Sequence, residues 1–111
     1  MSNKYGIPKD ELLKIRERDT KCVYCNDKML PRWDTHKRRK SPTIEHLSPV
    51  KPFYMKQGMQ LNNIAICCGS CNSSRRDKTL KEWFKKKYCN NKNINADTVL
   101  APVKAYLKRL E

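Results

Sequence analysis

Two cysteine pairs, each with two residues between the thiols, constrain this chain more than any other feature. The first pair is Cys22 and Cys25, and the second is Cys68 and Cys71. Two thiolates at this spacing can grip one tetrahedral ion because the chain turns between them. We therefore predict a structural Zn2+ site with these thiolates as its ligands. Four reduced core cysteines without a metal are the plainer alternative, and the neighbouring Cys67 is a competing ligand.

The composition explains why such a staple would be needed. The chain has 111 residues, of which 38% are hydrophobic, with two Phe and two Trp. This length fits a single domain, and a core this thin usually needs a metal or covalent staple. Neither an apolar leader core nor a run of about 20 apolar residues is present. We expect a cytoplasmic chain with no membrane partner, in which thiols stay reduced.

The charge balance favours a polyanionic partner. Net charge is +14, from 25 Lys and Arg against 11 Asp and Glu. A surplus of this size on a small domain is typical of nucleic-acid binding, although a solubility surface or a ribosomal type of protein would share it. The densest basic run, within 36–40, is either a solvated loop or a set of phosphate contacts. Its predicted DNA contacts are Lys37, Arg38, Arg39 and Lys40.

Hydrophobic periodicity and turn residues predict an α+β fold in one domain spanning 1–111, with a core over about 20–88. Residues 1–7 form a lead-in segment. The predicted helices cover 8–18, 68–76, 80–88 and about 96–110. The predicted strands cover 29–34, 43–47 and 63–67. The last two strands would form a hairpin with a long, proline-containing loop, which is uncommon unless the loop is functional.

Reactive side chains cluster at the two ends of this hairpin region. Glu45 and His46 lie where the first strand ends, and Asn72 directly follows the second cysteine pair. His46 can accept a proton near neutral pH, while Glu45 and Asn72 offer oxygen ligands to Mg2+ or Mn2+. Neighbouring strand residues point to opposite faces, so a shared site requires the strand to end there. Arg75 or Arg76 could clamp a phosphate, which completes the parts of a one-metal phosphodiesterase.

These residues together resemble the cysteine-bearing HNH endonuclease signature. The matching positions are Glu45-His46, Asn63 and Cys68-x2-Cys71-Asn72-x2-Arg75, with the first cysteine pair upstream. The resemblance covers Cys22 to about Phe84. It implies a small ββα-metal, treble-clef-like domain in which a hairpin and a helix clasp the catalytic ion and the zinc knuckles buttress them.

The same resemblance implies a role for each site residue. His46 would be the general base, Glu45 the first ligand of a catalytic Mg2+ or Mn2+, and Asn72 the second ligand. Asn63 would tie the long loop to the hairpin through side-chain hydrogen bonds. The family usually has Asp where this chain has Glu45.

The resulting expectation is an endonuclease that hydrolyses DNA, double-stranded or branched, leaving 5′-phosphate and 3′-OH ends. A non-catalytic zinc module that binds nucleic acid is the main alternative, and a zinc protein that docks on another protein is a third. The chain would act as a monomer or homodimer. The final helix, 96–110, would either pack on the domain or form a dimer face.

Overall fold

The computed structural model describes residues 3–111, which form five α-helices and one two-stranded sheet. The helices are α1 (Lys9–Arg18), α2 (Gly69–Arg75), α3 (Leu80–Trp83), α4 (Lys87–Lys92) and α5 (Ala101–Arg109). The strands are β1 (Pro42–His46) and β2 (Ile64–Cys68). This is the predicted α+β class. None of the helices within 3–111 combines the length and the apolar character needed to cross a bilayer.

The two strands form the predicted hairpin, shifted by one residue. β1 and β2 are antiparallel, with Glu45 opposite Ala65 and His46 opposite Ile64. The Leu47 N–H donates to the Asn63 carbonyl over 2.8 Å, so the pairing continues one step beyond His46 before the loop departs. All five residues of β2 are buried, which places this strand in the centre of the core.

The outer edge of β2 is covered by side chains and by the first cysteine knuckle. The Ile66 N–H donates to Asp19 Oδ2 over 2.9 Å, and the Ile66 carbonyl accepts from the Val23 N–H over 3.3 Å. Arg18 binds both oxygens of Asp19, at 2.7 and 2.8 Å, and donates to the Ile64 carbonyl over 3.2 Å. These bonds fix the C-terminal end of α1 against the sheet. The predicted helix over 8–18 is observed as α1, which starts one residue later.

Helix α2 begins in close contact with the basic run. The Gly69 N–H donates to the Ser41 carbonyl over 3.0 Å. A Cβ added to Gly69 would lie 2.0 Å from the carbonyl oxygen of Arg38, which belongs to a short 3-10 helix over Arg38–Lys40. Only glycine therefore permits this approach. The prediction of a helix following the second cysteine pair is confirmed.

The predicted continuous helix over 80–88 is wrong, because the chain breaks between α3 and α4. A capping box, in which Thr79 and Glu82 bind each other's backbone N–H groups, starts α3. The break allows the Tyr88 hydroxyl to turn back towards α2, where it lies 2.8 Å from Ser70 Oγ and 3.3 Å from Cys71 Sγ. Tertiary contacts thus override the local helical period.

The predicted strand over 29–34 is also wrong. The Leu30 N–H pairs with the Lys40 carbonyl over 2.9 Å, and Pro31 has no N–H to continue a ladder. The Asp34 N–H instead donates to Ser41 Oγ over 2.9 Å. The segment is a loop fastened to the residues that precede β1.

The C-terminal helix is shorter than predicted. α5 starts at Ala101, with Pro102 in its first turn, where a missing N–H has no cost. Its Val103 and Tyr106 side chains are buried, and Arg109 Nη2 donates to the Asn62 carbonyl over 2.9 Å. The helix therefore packs onto its own domain through this face.

The lead-in segment is folded from residue 3 onward. Asn3 Oδ1 accepts from the N–H groups of Tyr5 and Ile7, at 3.2 and 3.0 Å. Ile7 is buried in the core, and the Tyr5 carbonyl accepts from the Met55 N–H over 2.9 Å. These contacts bring the start of the chain against the loop that follows β1.

Candidate functional site

The four predicted zinc ligands converge on one point. Cys22 and Cys25 lie on the knuckle after α1, Cys68 ends β2, and Cys71 lies in α2. Their Sγ atoms all lie within 4.8 Å of one another. The knuckle turns tightly because Asn26, which has a positive φ of 65°, donates its N–H to the Cys22 carbonyl over 2.9 Å.

The donor set fits a tetrahedral zinc ion. Zinc–sulfur bonds of about 2.3 Å place the sulfurs of a tetrahedral site about 3.8 Å apart, and Cys25 Sγ lies 3.9 Å from Cys68 Sγ. Within the cluster, the hydrogen bond with Cys25 lowers the pKa of Cys22, whereas hydrogen bonds with the other three cysteines raise the pKa of Cys71. Four cysteines this close together can hold a metal such as zinc.

Cys67 lies outside the cluster, so the competing assignment is removed. Neighbouring residues of a strand face opposite sides, and Cys67 Sγ points towards Thr43 Oγ1, 3.5 Å away. Complete burial raises the pKa of the Cys67 thiol well above its ordinary value. Cys89 is buried elsewhere, and its burial raises its pKa to about 11. Both residues are core thiols.

The structure brings Glu45, His46 and Asn72 to one cavity of about 300 Å3, which Arg76 and Lys4 also line. Glu45 and His46 are the last two residues of β1, and both line the cavity. Asn72 reaches it from α2, and Arg76 from the residue that directly follows that helix. The structure thus places these groups around one cavity, while their chemical roles stay predictions.

His46 is held in a defined orientation. Its Nε2 lies 3.1 Å from the Phe53 carbonyl oxygen. Because a carbonyl only accepts, Nε2 carries the proton and Nδ1 is left as the basic nitrogen. The rings of Tyr5 and Phe53 meet the imidazole edge-to-face, with centroids 4.3 and 5.1 Å away. Burial by these rings lowers the pKa of His46, which favours its neutral form.

Glu45 is more deeply buried than a solvent-facing metal ligand would be. It is 4% exposed, and its Oε2 accepts from the Tyr24 hydroxyl at 2.6 Å and from Arg75 Nη1 at 3.2 Å. Both donors bind the same oxygen, which leaves Oε1 without a side-chain partner among residues 3–111. Burial raises the pKa of Glu45, although the nearby guanidinium of Arg75 acts in the opposite direction. The carboxylate therefore has a structural role in addition to its predicted one.

The expectation that Arg75 projects from α2 towards a phosphate is wrong. Arg75 is 1% exposed. Besides Glu45, its guanidinium donates to the carbonyls of His46, Leu47 and Lys78, at 3.1, 2.7 and 2.9 Å. Arg75 therefore connects α2 to the end of β1, and this connection fixes the backbone of His46.

The amide of Asn72 is oriented by two hydrogen bonds. Its Nδ2 donates to Thr43 Oγ1 over 3.0 Å and to the Ile44 carbonyl over 3.3 Å. The carbonyl partner requires the nitrogen to face β1, so the Asn72 oxygen faces away from the strand. This orientation leaves an oxygen available at the cavity, as a ligand role would need.

Asn63 does not make the predicted side-chain bonds to the long loop. Its side-chain oxygen accepts from Arg109 Nη2 over 3.2 Å, so the side chain anchors α5. The link to the hairpin runs through the Asn63 backbone carbonyl and Leu47. Asn63 therefore lies beside the hairpin, but its side chain does not form the predicted hydrogen bonds to the long loop.

The predicted basic contacts are exposed, except for Arg75. Lys37, Arg38, Arg39 and Lys40 line an open cleft of about 560 Å3, together with Leu30, Thr35 and His36. Arg76 is exposed beside the cavity that contains His46. The packing of Gly69 against Arg38 fixes the cleft relative to α2, and so relative to the cysteine cluster.

Sequence reasoning missed several side chains that contact the site residues and hold them in place. Tyr5 and Phe53 contact His46 but lie away from the motif in the sequence, and Tyr24, which lies within the first cysteine knuckle, contacts Glu45 through its hydroxyl. Arg75 also gives a usable signal. It follows Cys71 by four residues, so both share the inward face of α2.

Comparison of the chain with family models, with curated proteins and with solved structures gives no match. The structure itself defines a small α+β domain with a four-cysteine cluster that can hold zinc. A second group of titratable and amide side chains lies beside this cluster.

Proposed function

We propose that this chain is a metal-dependent endonuclease that hydrolyses DNA phosphodiester bonds. The observation that carries the proposal is the single cavity lined by Glu45, His46 and Asn72, next to the cysteine cluster. Their arrangement is consistent with the HNH signature that the sequence resembles. The opposite charges of this domain and of DNA further support the assignment.

In this proposal His46 is the general base. Its proton is held at Nε2 by the Phe53 carbonyl, so the unprotonated Nδ1 can accept a proton from water. The water oxygen then attacks phosphorus, the bond to the 3′ oxygen breaks, and the leaving oxygen takes a proton from solvent, which leaves 5′-phosphate and 3′-OH ends. The lowered pKa of His46 keeps the base unprotonated at neutral pH.

The donor groups for a catalytic Mg2+ or Mn2+ would be Glu45 and Asn72. Glu45 has one carboxylate oxygen without a side-chain partner, and the oriented amide of Asn72 offers another oxygen. Oxygen donors suit these hard cations. When bound, the ion supplies charge neutralisation at the phosphate and at the leaving oxygen. Arg76 is an exposed cation at the cavity and replaces Arg75 as the proposed phosphate contact.

The zinc cluster would position this chemistry. Cys71 binds the structural ion, and the next residue, Asn72, lines the cavity. Rigid support of this kind keeps catalytic groups within a few tenths of an ångström of their working geometry. The basic cleft formed by Lys37, Arg38, Arg39 and Lys40 would bind the phosphate backbone on one side of the zinc cluster.

One observation favours a second candidate, a non-catalytic zinc module that binds nucleic acid. The Glu45 carboxylate is already neutralised by Arg75, at 3.2 Å, which weakens it as a metal ligand. A binding module would retain the cysteine cluster and the basic cleft and would not depend on His46.

Plasmid cleavage with added Mg2+ or Mn2+ tests the proposal. We expect nicked and linear products from the zinc-loaded protein, and a loss of about 10²–10⁴-fold in rate for His46→Ala, the range for removal of a general base. His36→Ala removes the other histidine of the chain and should still cleave. Zinc content and thermal unfolding of each variant show that its fold is intact. Absence of cleavage by the wild-type protein with either ion, alongside DNA binding, would favour the binding module.

A further inference from the structure

The two tryptophans of this chain occupy contrasting environments. Trp83 is fully buried, donates Nε1–H to Ser74 Oγ over 2.9 Å and packs against the ring of Tyr24 at 4.9 Å. Trp33 is 46% exposed. Among residues 3–111, the Trp33 side chain has neither a hydrogen-bond partner nor an aromatic neighbour.

The backbone around Trp33 is held firmly, so loop looseness does not account for its exposure. Ser41 is buried, and its hydroxyl accepts from the Asp34 N–H and donates to the Lys37 carbonyl, each over 2.9 Å. On the other side of Trp33, the Leu30 N–H binds the Lys40 carbonyl over 2.9 Å. The indole is thus presented outward from a loop that is tied at both ends.

Trp33 also borders the basic cleft. It lines a surface cavity of about 380 Å3 whose walls include Leu30 and Thr35. The same two residues line the cleft of about 560 Å3 that carries Lys37, Arg38, Arg39 and Lys40. An aromatic surface and a cationic surface are therefore contiguous.

We infer that Trp33 is a stacking platform for an unpaired base of a nucleic acid whose phosphates lie along the basic cleft. Exposed aromatic rings beside a cationic groove bind single strands in this way, because every base has a face on which to stack. In an uninterrupted duplex these faces are hidden between neighbouring base pairs. The inference rests on the proposed nucleic-acid partner, and it deepens that proposal by favouring gapped, branched or single-stranded sites over continuous duplex.

Binding without added divalent ion tests the inference separately from cleavage. The probes are a fluorescein-labelled continuous duplex and the same duplex with a central single-stranded gap, measured by anisotropy at several salt concentrations. Trp33→Phe keeps an aromatic face, and Trp33→Leu keeps an apolar side chain without one. Leu13→Ala is the matched control, because Leu13 is 54% exposed but belongs to α1. Intrinsic fluorescence with unlabelled gapped DNA reports on Trp33 directly, with Trp33→Phe giving the background from Trp83.

We expect the wild-type protein to prefer the gapped probe and Trp33 emission to be quenched on binding. Trp33→Leu should lose about tenfold in affinity for the gapped probe, equivalent to about 1.4 kcal/mol and within the range for one stacked base. Trp33→Phe should recover most of that loss, and Leu13→Ala should match wild type. Equal binding of both probes by wild type and Trp33→Leu, with unchanged emission, would overturn the stacking site and leave the endonuclease proposal standing. Failure of the wild type to bind either probe would overturn both.

Discussion

The contact between Gly69 and Arg38 leads to a prediction whose sign is opposite to the usual one. A glycine replaced by alanine in a helix interior normally gains about 1 kcal/mol, and Gly69, as the first residue of α2, would gain less. In this domain the added Cβ would lie 2.0 Å from the Arg38 carbonyl oxygen and 2.9 Å from its carbon. Both are backbone atoms, so neither can rotate away. Relief of the contact requires either α2 or the 3-10 helix Arg38–Lys40 to move by about 1 Å.

Overpacking of this kind costs about 1–3 kcal/mol, which exceeds the helical gain. We therefore expect Gly69→Ala to lower the free energy of unfolding by about 1–2 kcal/mol and the Tm by about 5–15 °C. Affinity for DNA should fall as well, because the movement displaces Arg38 and Arg39 from their places in the basic cleft.

Thermal unfolding of the zinc-loaded protein, followed by circular dichroism, measures this effect. Ser73→Ala is the matched control, because Ser73 is exposed on the same helix and should change the free energy of unfolding by less than about 0.5 kcal/mol. A Gly69→Ala variant with a Tm equal to or above that of wild type would refute the close approach of α2 to Arg38.

Three further predictions concern the metal, the buried ion pair and the base. Cys68→Ser should abolish zinc retention and cooperative unfolding, because the free energy of structural zinc binding contributes to folding. Cys67→Ser should keep one zinc per chain. Elemental analysis measures the zinc content of the two variants, and circular dichroism follows their unfolding. Arg75→Met leaves a buried carboxylate unpaired and should cost about 3–5 kcal/mol in urea unfolding, against less than about 0.5 for the exposed Arg76→Met. Burial lowers the pKa of His46, whose unprotonated form would act as the proposed base. Cleavage should therefore persist as pH falls and be lost only below 6.5, so a pH–rate midpoint above that value would contradict the proposal.

The sequence predicted those parts of the site that depend on local spacing. Two residues between paired thiols, and the step from Cys71 to Asn72, are short-range relations that survive any reasonable packing. The hairpin was predicted to within one residue, because turn and loop residues bound two β-branched segments. The prolines that follow predicted an end of the first strand at 47, one residue beyond the observed end of β1 at His46.

What could not be predicted depends on contacts between distant segments. The ring of Tyr5 reaches His46 only because the start of the chain binds the loop at Met55. Arg75 resembles a surface residue by its type, yet the buried Glu45 and three carbonyls satisfy its guanidinium. Glu45→Ala is consequently expected to destabilise the domain as well as to remove activity, since it leaves Arg75 buried without its charge partner.

The side chains that surround the hairpin also decide how copies of this protein can meet. An open strand edge is a template for pairing with another chain, and it is the usual start of sheet extension and aggregation. Asp19 and Arg18 form hydrogen bonds with outward-facing backbone groups of β2. Asn72 and Arg75 form hydrogen bonds with outward-facing carbonyls of β1. The sheet is thereby blocked at these positions on both sides. Self-association, where it occurs, must proceed through side-chain surfaces and not through a growing sheet.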